Sequence, residues 1–580
     1  MLVLGINCAY HESAACLLYN GRVVAAVEEE RFNRRKRAKA SLVTNADELP
    51  LHAVSHCFEA ASKLLGKNVD WSSIDHVGFS MLPEERYRRN TEHAHPYTPL
   101  EGDFGTGTGE ALFRDRCLSV RENVGALGFA GSFHYISHHQ CHAASAFHAS
   151  PFEDAAVLVV DGIAEFESTT AYHGRGEALE KLWSLDYPHS LGFLWEKMSQ
   201  FLGFSEYDAC KVMGLASYGD PAPFAHHFSQ FVRNTDRFEI DDAVLHFRNG
   251  NFRGLEDAFG LSKRNNPVCS YSAETKPYAD IAATLQHKTE EILLHLAKKL
   301  RAETGSANLG MAGGVALNCV ANGRIAAESG FDRVFVQPAS HDAGTALGAA
   351  LSIWHERLAK PRTPENVSPY TGPSFTDEEI RVALEKSGFA FQKIDDITSH
   401  VADLLADGAI VAWFQGRMEF GPRALGNRSL LADPRRESVR EVLNEKVKHR
   451  EPFRPFCPSV LAERAADWFD VEPQSGGPEY YMLRAVDAKE GVREKIPAVV
   501  HVDGTCRIQA VDSAMNARYH ELISKFEERT GVPVLLNTSF NDTEPIVCRP
   551  EDAIETFRKT RIDWLVLGDY CVSRKARDPS

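Results

Sequence analysis

Residues 155–176 read AAVLVVDGIAEFESTTAYHGRG. An unbroken apolar run ends in Asp161, a polar loop "IAEFES" follows, and "TTAYHGRGEALEKLWSLD" reads as a hairpin with Gly174 and Gly176 in its turn. The same order opens the chain: "LVLGIN" (2–7), the loop "CAYHES" (8–13), then "AACLLY" and "RVVAAVEEER" joined by Asn20-Gly21. Asn-Gly between alternating apolar runs is the strongest short hairpin signal. One strand, loop and hairpin used twice predicts a duplicated α/β core, with the loops after the two first strands facing a shared cleft.

Composition bounds the rest. The chain has 580 residues, 43% of them hydrophobic and 25% charged, ordinary usage for a soluble globular protein of two or more cores. Its net charge of −16 argues against nucleic acid or an anionic membrane surface as main partner. The twelve cysteines are scattered without a CxxC pair, as in buried thiols of a reducing compartment. No basic leader opens the chain and no apolar run approaches the roughly 18 residues of a membrane helix, so a cytoplasmic protein is expected.

Apolar residues at helical spacing predict a helix over 280–303. "LGMAGGVALNCVANGRIAAE" then reads as a strand, a Gly313-Gly314 turn and a helix beginning near Val315, which would aim free N–H groups at an anion. Tight turns explain most Gly-Gly pairs equally well. The proline-rich stretch 358–375 marks a linker, giving domains 1–360 and 376–580 with 361–375 between them. Helix "TDEEIRVALEKSG" and strands "AIVAWF" and "VPVLLNTSF" make the second domain α/β as well. Residues 86–110 are polar and Gly-rich, a lid over a pocket or a solvated loop.

If "HHQCHAASAFHA" is helical, His138 and His142 share a face. Taken alone, an HxxxH pair is more often two surface histidines. Asp161 at a strand end and Asp342 in the loop of "PASHDAGTALG" add two carboxylates, and the set of four suits Fe²⁺, Mn²⁺ or Zn²⁺. His139 and Cys141 fit packing roles. Between Gln415 and Arg454, ten Lys or Arg stand against six acids in an otherwise acidic chain. Arg417, Arg423 and Arg428, interleaved with Gly and Pro, suit closure on phosphate, whereas Arg435, Arg436 and Arg440 read as a solvated mixed-charge helix. Ser539, read alone, is a turn or cap serine.

Eight motifs, "SHHQCHA" (137–143), "VVDG" (159–162), "MGLASYGDP" (213–221), "GGVALN" (313–318), "PASHDAGTALGA" (338–349), "GRMEFGPRALGNRS" (416–429), "REPFRPFCPSV" (450–460) and "LLNTSFN" (535–541), together resemble the antibiotic and nodulation-factor O-carbamoyltransferases. The resemblance implies a duplicated actin/Hsp70/sugar-kinase-like N-terminal domain, similar to tRNA threonylcarbamoyl-adenosine transferases, and a YrdC-like α/β C-terminal domain. It places His138, His142, Asp161 and Asp342 on metal-ligand positions, with Fe²⁺ first among the candidate ions. Gly313, Gly314 and Asn318 fall on its nucleotide-contact loop. Arg423, Lys448, Arg454, Arg507 and Ser539 fall on its carbamoyl phosphate and ATP site, with Arg417 and Asn537 nearby; Arg507 and Ser539 are counted among the catalytic positions. ATP, carbamoyl phosphate and Mg²⁺ would yield a carbamoyl adenylate, whose carbamoyl group passes to a hydroxyl of a small natural product. His11, in the loop after the first strand, is the expected general base, with Glu165 helping to place the acceptor and Lys211 contacting acceptor or adenylate. The acceptor itself would be chosen by loops 33–52, 86–110 and 220–275. A homodimer is the default assembly. A tRNA-modifying enzyme, a sugar kinase and a nucleotide-regulated chaperone module are the competing readings, and the last two leave the basic C-terminal stretch unexplained.

Overall fold

The strand Leu2–Asn7 is buried at all six positions, as a central strand covered on both faces must be. It pairs antiparallel with Ala14–Tyr19, which pairs with Arg22–Glu28, while on its other side His76–Phe79 and then Ser132–Tyr135 continue in parallel. The tight turn rests on Asn20 and Gly21, both at positive φ (48° and 82°), the backbone that an Asn-Gly hairpin supplies. A second five-stranded sheet repeats the plan: Ala178–Asp186, Glu167–Arg175, Asp154–Val160, then Asn308–Ala312 and Arg333–Val336 in parallel. Three antiparallel strands followed by two parallel ones, twice over, is the duplicated α/β core expected from the sequence. Gly174 lies within the strand, paired with Leu179, so the second hairpin turns at Gly176 instead.

The structure is a computed structural model describing residues 1–269, 272–362 and 366–574. It divides into two units, residues 1–33 with 37–367 and residues 34–36 with 368–580. Of the expected linker 361–375, residues 363–365 lie outside the described residues, as do 270 and 271 of the loop 220–275 and the C-terminal 575–580. Residues from 368 onward belong to the second unit, where Tyr370 donates to Leu425 O.

In the first unit two helices cross between the sheets. His138–Phe147 follows the last strand of the first sheet but packs on the second, where Gly174 faces the Phe147 ring. Ala343–Ser352 follows the last strand of the second sheet but packs on the first, so tightly that a Cβ on Gly5 would lie 1.9 Å from Ala346 O. At their crossing a Cβ on Gly348 would lie 1.7 Å from Cys141 O. This exchange of helices places the end of each sheet beside the other.

Two expectations need correction here. Residues 86–110 are largely helical at their ends, with helices Pro83–Glu92 and Gly107–Ala126 flanking an irregular stretch of 93–106. The helix after Gly313-Gly314 does not begin near Val315: residues Gly314–Leu317 form a single tight turn and the α-helix is Cys319–Glu328, capped by the Asn318 side chain on Ala321 N–H. Asn is among the best N-cap residues because its oxygen satisfies an orphan amide.

The second unit is a mixed eight-stranded sheet in the order Gln392–Lys393, Tyr570–Ser573, Trp564–Leu567, Val411–Phe414, Arg428–Ala432, Val534–Ser539, Cys457–Leu461, Gln509–Val511. Helix Asp377–Ser387 begins with a capping box between Thr376 and Glu379. The basic run splits apart. Arg435 and Arg436 pair with the buried Asp433, and only Arg440 lies on a helix, Val439–Leu443.

Candidate active site

The loops that end the central strands of the first unit bring four side chains together. His138 and His142, one turn apart on the buried helix His138–Phe147, face Asp161 after the second sheet's first strand and Asp342 before helix Ala343–Ser352. One donor atom from each lies within 4.8 Å of all the others. His142 Nε2 is 3.0 Å from Asp161 Oδ2, and His138 Nε2 is 3.4 Å from Asp342 Oδ1. Nε2 of both histidines and Oδ2 of Asp161 are buried without a hydrogen-bond partner, so even the 3.0 Å approach lacks hydrogen-bond alignment. Lone pairs converge on one point. Two imidazoles and two carboxylates could hold a divalent metal there.

The surroundings orient these groups. His138 Nδ1 meets Ser80 O at 3.1 Å, which leaves Nε2 free toward the cluster. Asp161 Oδ1 accepts the N–H of Gly162 (2.9 Å) and of Gly314 (3.1 Å), so Oδ2 turns inward. Glu165 accepts the His138 N–H at 2.9 Å, fixing the helix start rather than reaching the cluster. In the metal-free protein burial opposes charge on His138, but Asp342 and Asp161 outweigh it and hold the imidazole well above the ordinary histidine value. His142 is raised by the same partners against its burial. Asp161 and Asp342 are held below the carboxylate range because the two histidines overcome burial. His139, on the opposite side of the helix, is kept neutral by burial and contacts Thr170 Oγ1 at 3.1 Å.

A cavity of about 380 Å³ opens from this cluster, with His11, Asp161 and Asp342 in its wall. His11 Nδ1 lies 3.6 Å from Asp342 Oδ2, and its ring meets the Tyr207 ring edge-on at 5.3 Å. Lys211 is not among the lining residues and pairs instead with Asp208 at 3.2 Å. Gly313 must remain glycine: its φ is 93° and a Cβ would lie 2.2 Å from Val160 O. The amide of Gly314 is already engaged by Asp161, and the Asn318 side chain is engaged by Gln286 and Ala321.

The basic cluster of the second unit is a separate constellation. Lys448, buried at the end of an irregular helical turn, donates to Ser539 Oγ (3.2 Å), Asn541 O (2.8 Å) and Asn541 Oδ1 (2.7 Å). Arg507 aims Nε and one terminal nitrogen at Cys457 Sγ, at 3.1 and 3.0 Å. Arg454 lies 3.7 Å from Glu451. Burial, then Arg450 and Arg454, push the Lys448 ammonium well below the ordinary lysine value. Burial and the neighbouring Arg454 push Arg450 down to about 9, a residue the sequence placed in the basic run without singling it out. Crowded, destabilised cations of this kind could hold an anion.

Not every arginine belongs to it. Arg417 is turned to the carbonyls of Thr371 and Gly372. Arg428 is fully buried, donates to Gln415 O, Asn427 O and Pro373 O, and lies over the Phe414 ring at 3.6 Å. Both hold the fold, which corrects the expectation that they close on phosphate. Asn537 turns its Nδ2 to Ala424 O, Ser459 Oγ and Gln509 Oε1, while its Oδ1 is buried without a partner. Arg423 is half-buried in the loop before strand Arg428–Ala432. In the first unit Glu196, in the cavity wall, also escaped the sequence reading, because "LGFLWEKMSQF" presents it as a routine helical charge.

Comparison with known proteins follows the same division. Residues 2–351 match the family model described as carbamoyltransferase N-terminus, and 402–574 the one described as carbamoyltransferase C-terminus. An uncharacterized protein of Synechocystis sp. is 37% identical over 99% of this chain and 97% of its own length. Nodulation protein NolNO of Sinorhizobium fredii is 37% identical over 99% of this chain and 80% of its own. The 3′-hydroxymethylcephem-O-carbamoyltransferase of Amycolatopsis lactamdurans is 32% identical over 63% of this chain and 65% of its own.

Proposed function

Because this chain belongs to the carbamoyltransferase family, we propose that it is an ATP-dependent O-carbamoyltransferase acting on a hydroxyl of a small natural product. The observation that carries the reading is the set of buried, unpartnered donor atoms of His138, His142 and Asp161 together with Asp342, two of whose members, Asp161 and Asp342, stand in the wall of a ligand-sized cavity. It is strengthened by a second, cationic site in the other unit.

The chemistry divides between them. Water cleaves carbamoyl phosphate to carbamate and inorganic phosphate, and carbamate attacks the α-phosphate of ATP, releasing pyrophosphate and leaving carbamoyl adenylate. Lys448, Arg450, Arg454 and Arg507 neutralise the phosphates, with Ser539 and Arg423 as further contacts, and Mg²⁺ accompanies the nucleotide. In the first unit Gly313 and Gly314 let the nucleotide backbone approach Asp161, while Asn318 holds that loop by capping its helix. His138, His142, Asp161 and Asp342 would hold a divalent metal, Fe²⁺ being our first candidate, which would supply Lewis acidity at the carbamoyl carbonyl. His11 takes the proton of the acceptor hydroxyl as its oxygen attacks, and AMP leaves.

The test follows pyrophosphate and AMP from ATP, with and without carbamoyl phosphate, in Mg²⁺ and Fe²⁺. Pyrophosphate that requires carbamoyl phosphate and vanishes in Arg507→Ala or Ser539→Ala supports the reading. ADP in its place, as from a kinase, overturns it.

A further inference from the structure

The acceptor cavity has a sign. Three cations line it, Arg86, Lys197 and Arg248, and each donates to acceptors of the protein. Arg86 is fully buried, donating to Tyr10 Oη (2.6 Å), Ala164 O (3.2 Å) and Glu110 (2.9 Å). Arg248 is divided between Glu110 (3.3 Å) and Asn90 (2.9 Å). Lys197 gives its ammonium to the carbonyls of His246, Asn249 and Asn251, at 2.8 to 3.1 Å. The terminal nitrogens of both arginines and the ammonium of Lys197 are thus taken by protein acceptors, while Nε of Arg86 and of Arg248 is buried without a partner.

The lining carboxylates are different. Asp161 and Asp342 face the histidines, Glu206 accepts from Gln200 at 2.8 Å, and Asp103 accepts the Phe104 N–H at 2.7 Å. Glu196 alone among the lining carboxylates has neither hydrogen bond nor ion pair among the described residues. Its Oε1 lies 3.9 Å from the position of a Cβ on Gly162, the residue after Asp161. Aromatic faces of Tyr10, Phe104, Phe193, Tyr207 and Phe247 supply the remaining walls, surfaces that suit sugar C–H groups and ammonium ions alike.

From this geometry we infer that Glu196 is the specificity-determining contact for the acceptor, which is a hydroxyl compound that is neutral or carries an ammonium near the transferred oxygen, and that a carboxylate at that place is rejected. The inference rests on the transferase reading above. Asp103 and Glu206 share this wall with Glu196, so a carboxylate brought by a ligand would meet like charge there.

Three probes separate the cases: chitotetraose (neutral), its fully de-N-acetylated form (cationic) and 3′-hydroxymethylcephem (carboxylate-bearing). Ligand-observed NMR competition ranks their binding, and carbamate formation gives kcat and KM for any probe that is converted. Wild type should prefer the amine and neutral probes to the carboxylate by about tenfold or more, and Glu196→Gln should erase most of that ratio through acceptor affinity or KM. Carbamoyl phosphate-dependent pyrophosphate release should stay within about twofold in the variant, because no adenylate-forming contact is touched. A carboxylate probe bound as well as the amine, a ratio unchanged in Glu196→Gln, or failure of all three to bind overturns the inference. If Glu196→Gln does not fold, Glu206→Gln, which removes charge from the same wall, must reduce the ratio in its place, and no change there overturns it as well. Absence of pyrophosphate release from wild type would instead sink the transferase reading, while the NMR ranking still decides the charge preference.

Discussion

Asp161 divides its carboxylate between two tasks: Oδ1 accepts the amides of Gly162 and Gly314, while Oδ2 stands 3.0 Å from His142 Nε2. An asparagine keeps the first task and loses the second. Asp161→Asn should therefore fold like wild type but bind Fe²⁺ or Zn²⁺ at least about 100-fold more weakly. Asp161→Ala should lose both, with a lower melting temperature as well. Metal content after dialysis, read beside thermal melts, distinguishes the two; tight metal retained by Asp161→Asn would remove that residue from the site.

The protonation of the cluster makes metal binding pH-dependent with a definite sign. In the metal-free protein the values of His138 and His142 are raised, so their stabilising protons are fully in place below the unfolded value of about 6.5 and are lost as pH rises through the higher folded values. The depressed carboxyls of Asp161 and Asp342 act at the other end, their contribution present above the unfolded value of about 4 and lost as pH falls through the folded ones. A metal replaces the histidine protons. The rise in melting temperature between chelated and metal-loaded protein should thus grow from about pH 6 to about pH 9. A rise that shrinks with pH would contradict the assignment.

The site also depends on a contact with no chemistry in it. Gly348 lets helix Ala343–Ser352, which begins beside Asp342, cross helix His138–Phe147 where a Cβ would lie 1.7 Å from Cys141 O. Backbone cannot move aside as a flexible side chain can. Gly348→Ala should cost about 3 kcal/mol or more and lower metal affinity in parallel, measured by denaturant melts and metal titration.

How much of this was legible beforehand depends on whether a local pattern or a long-range contact decides the outcome. Asn20-Gly21, Asp161 at the end of "VLVVD" and the i,i+4 histidines are local, and the duplicated sheets and the four-residue cluster follow from them. The arginines are not local. Arg417, Arg428 and Arg450 share one basic run, yet whether a guanidinium meets a carbonyl or another cation depends on strands tens of residues away, such as Cys457–Leu461 and Val534–Ser539. Glu196 was invisible for the same reason, since its helix looks like any amphipathic surface helix until the cavity beside it is known.

That distinction gives the last prediction. Lys448 is held well below the ordinary lysine value by burial and by Arg450 and Arg454. A lowered lysine binds its proton more weakly when folded, so its burial costs stability that is recovered as pH rises toward the unfolded value of about 10.4. An anion placed among these cations favours the ammonium, so binding is coupled to proton uptake as pH rises toward the unfolded lysine value. Calorimetry of inorganic phosphate or carbamoyl phosphate in buffers of different ionisation enthalpy should show that uptake, with affinity falling as pH rises. Lys448→Met should lose most of the affinity and that pH slope. Arg417→Ala, which removes the donors to Thr371 O and Gly372 O, should lower stability yet keep both. Phosphate binding without proton uptake, or binding lost equally in both variants, would show that the buried lysine does not face the anion.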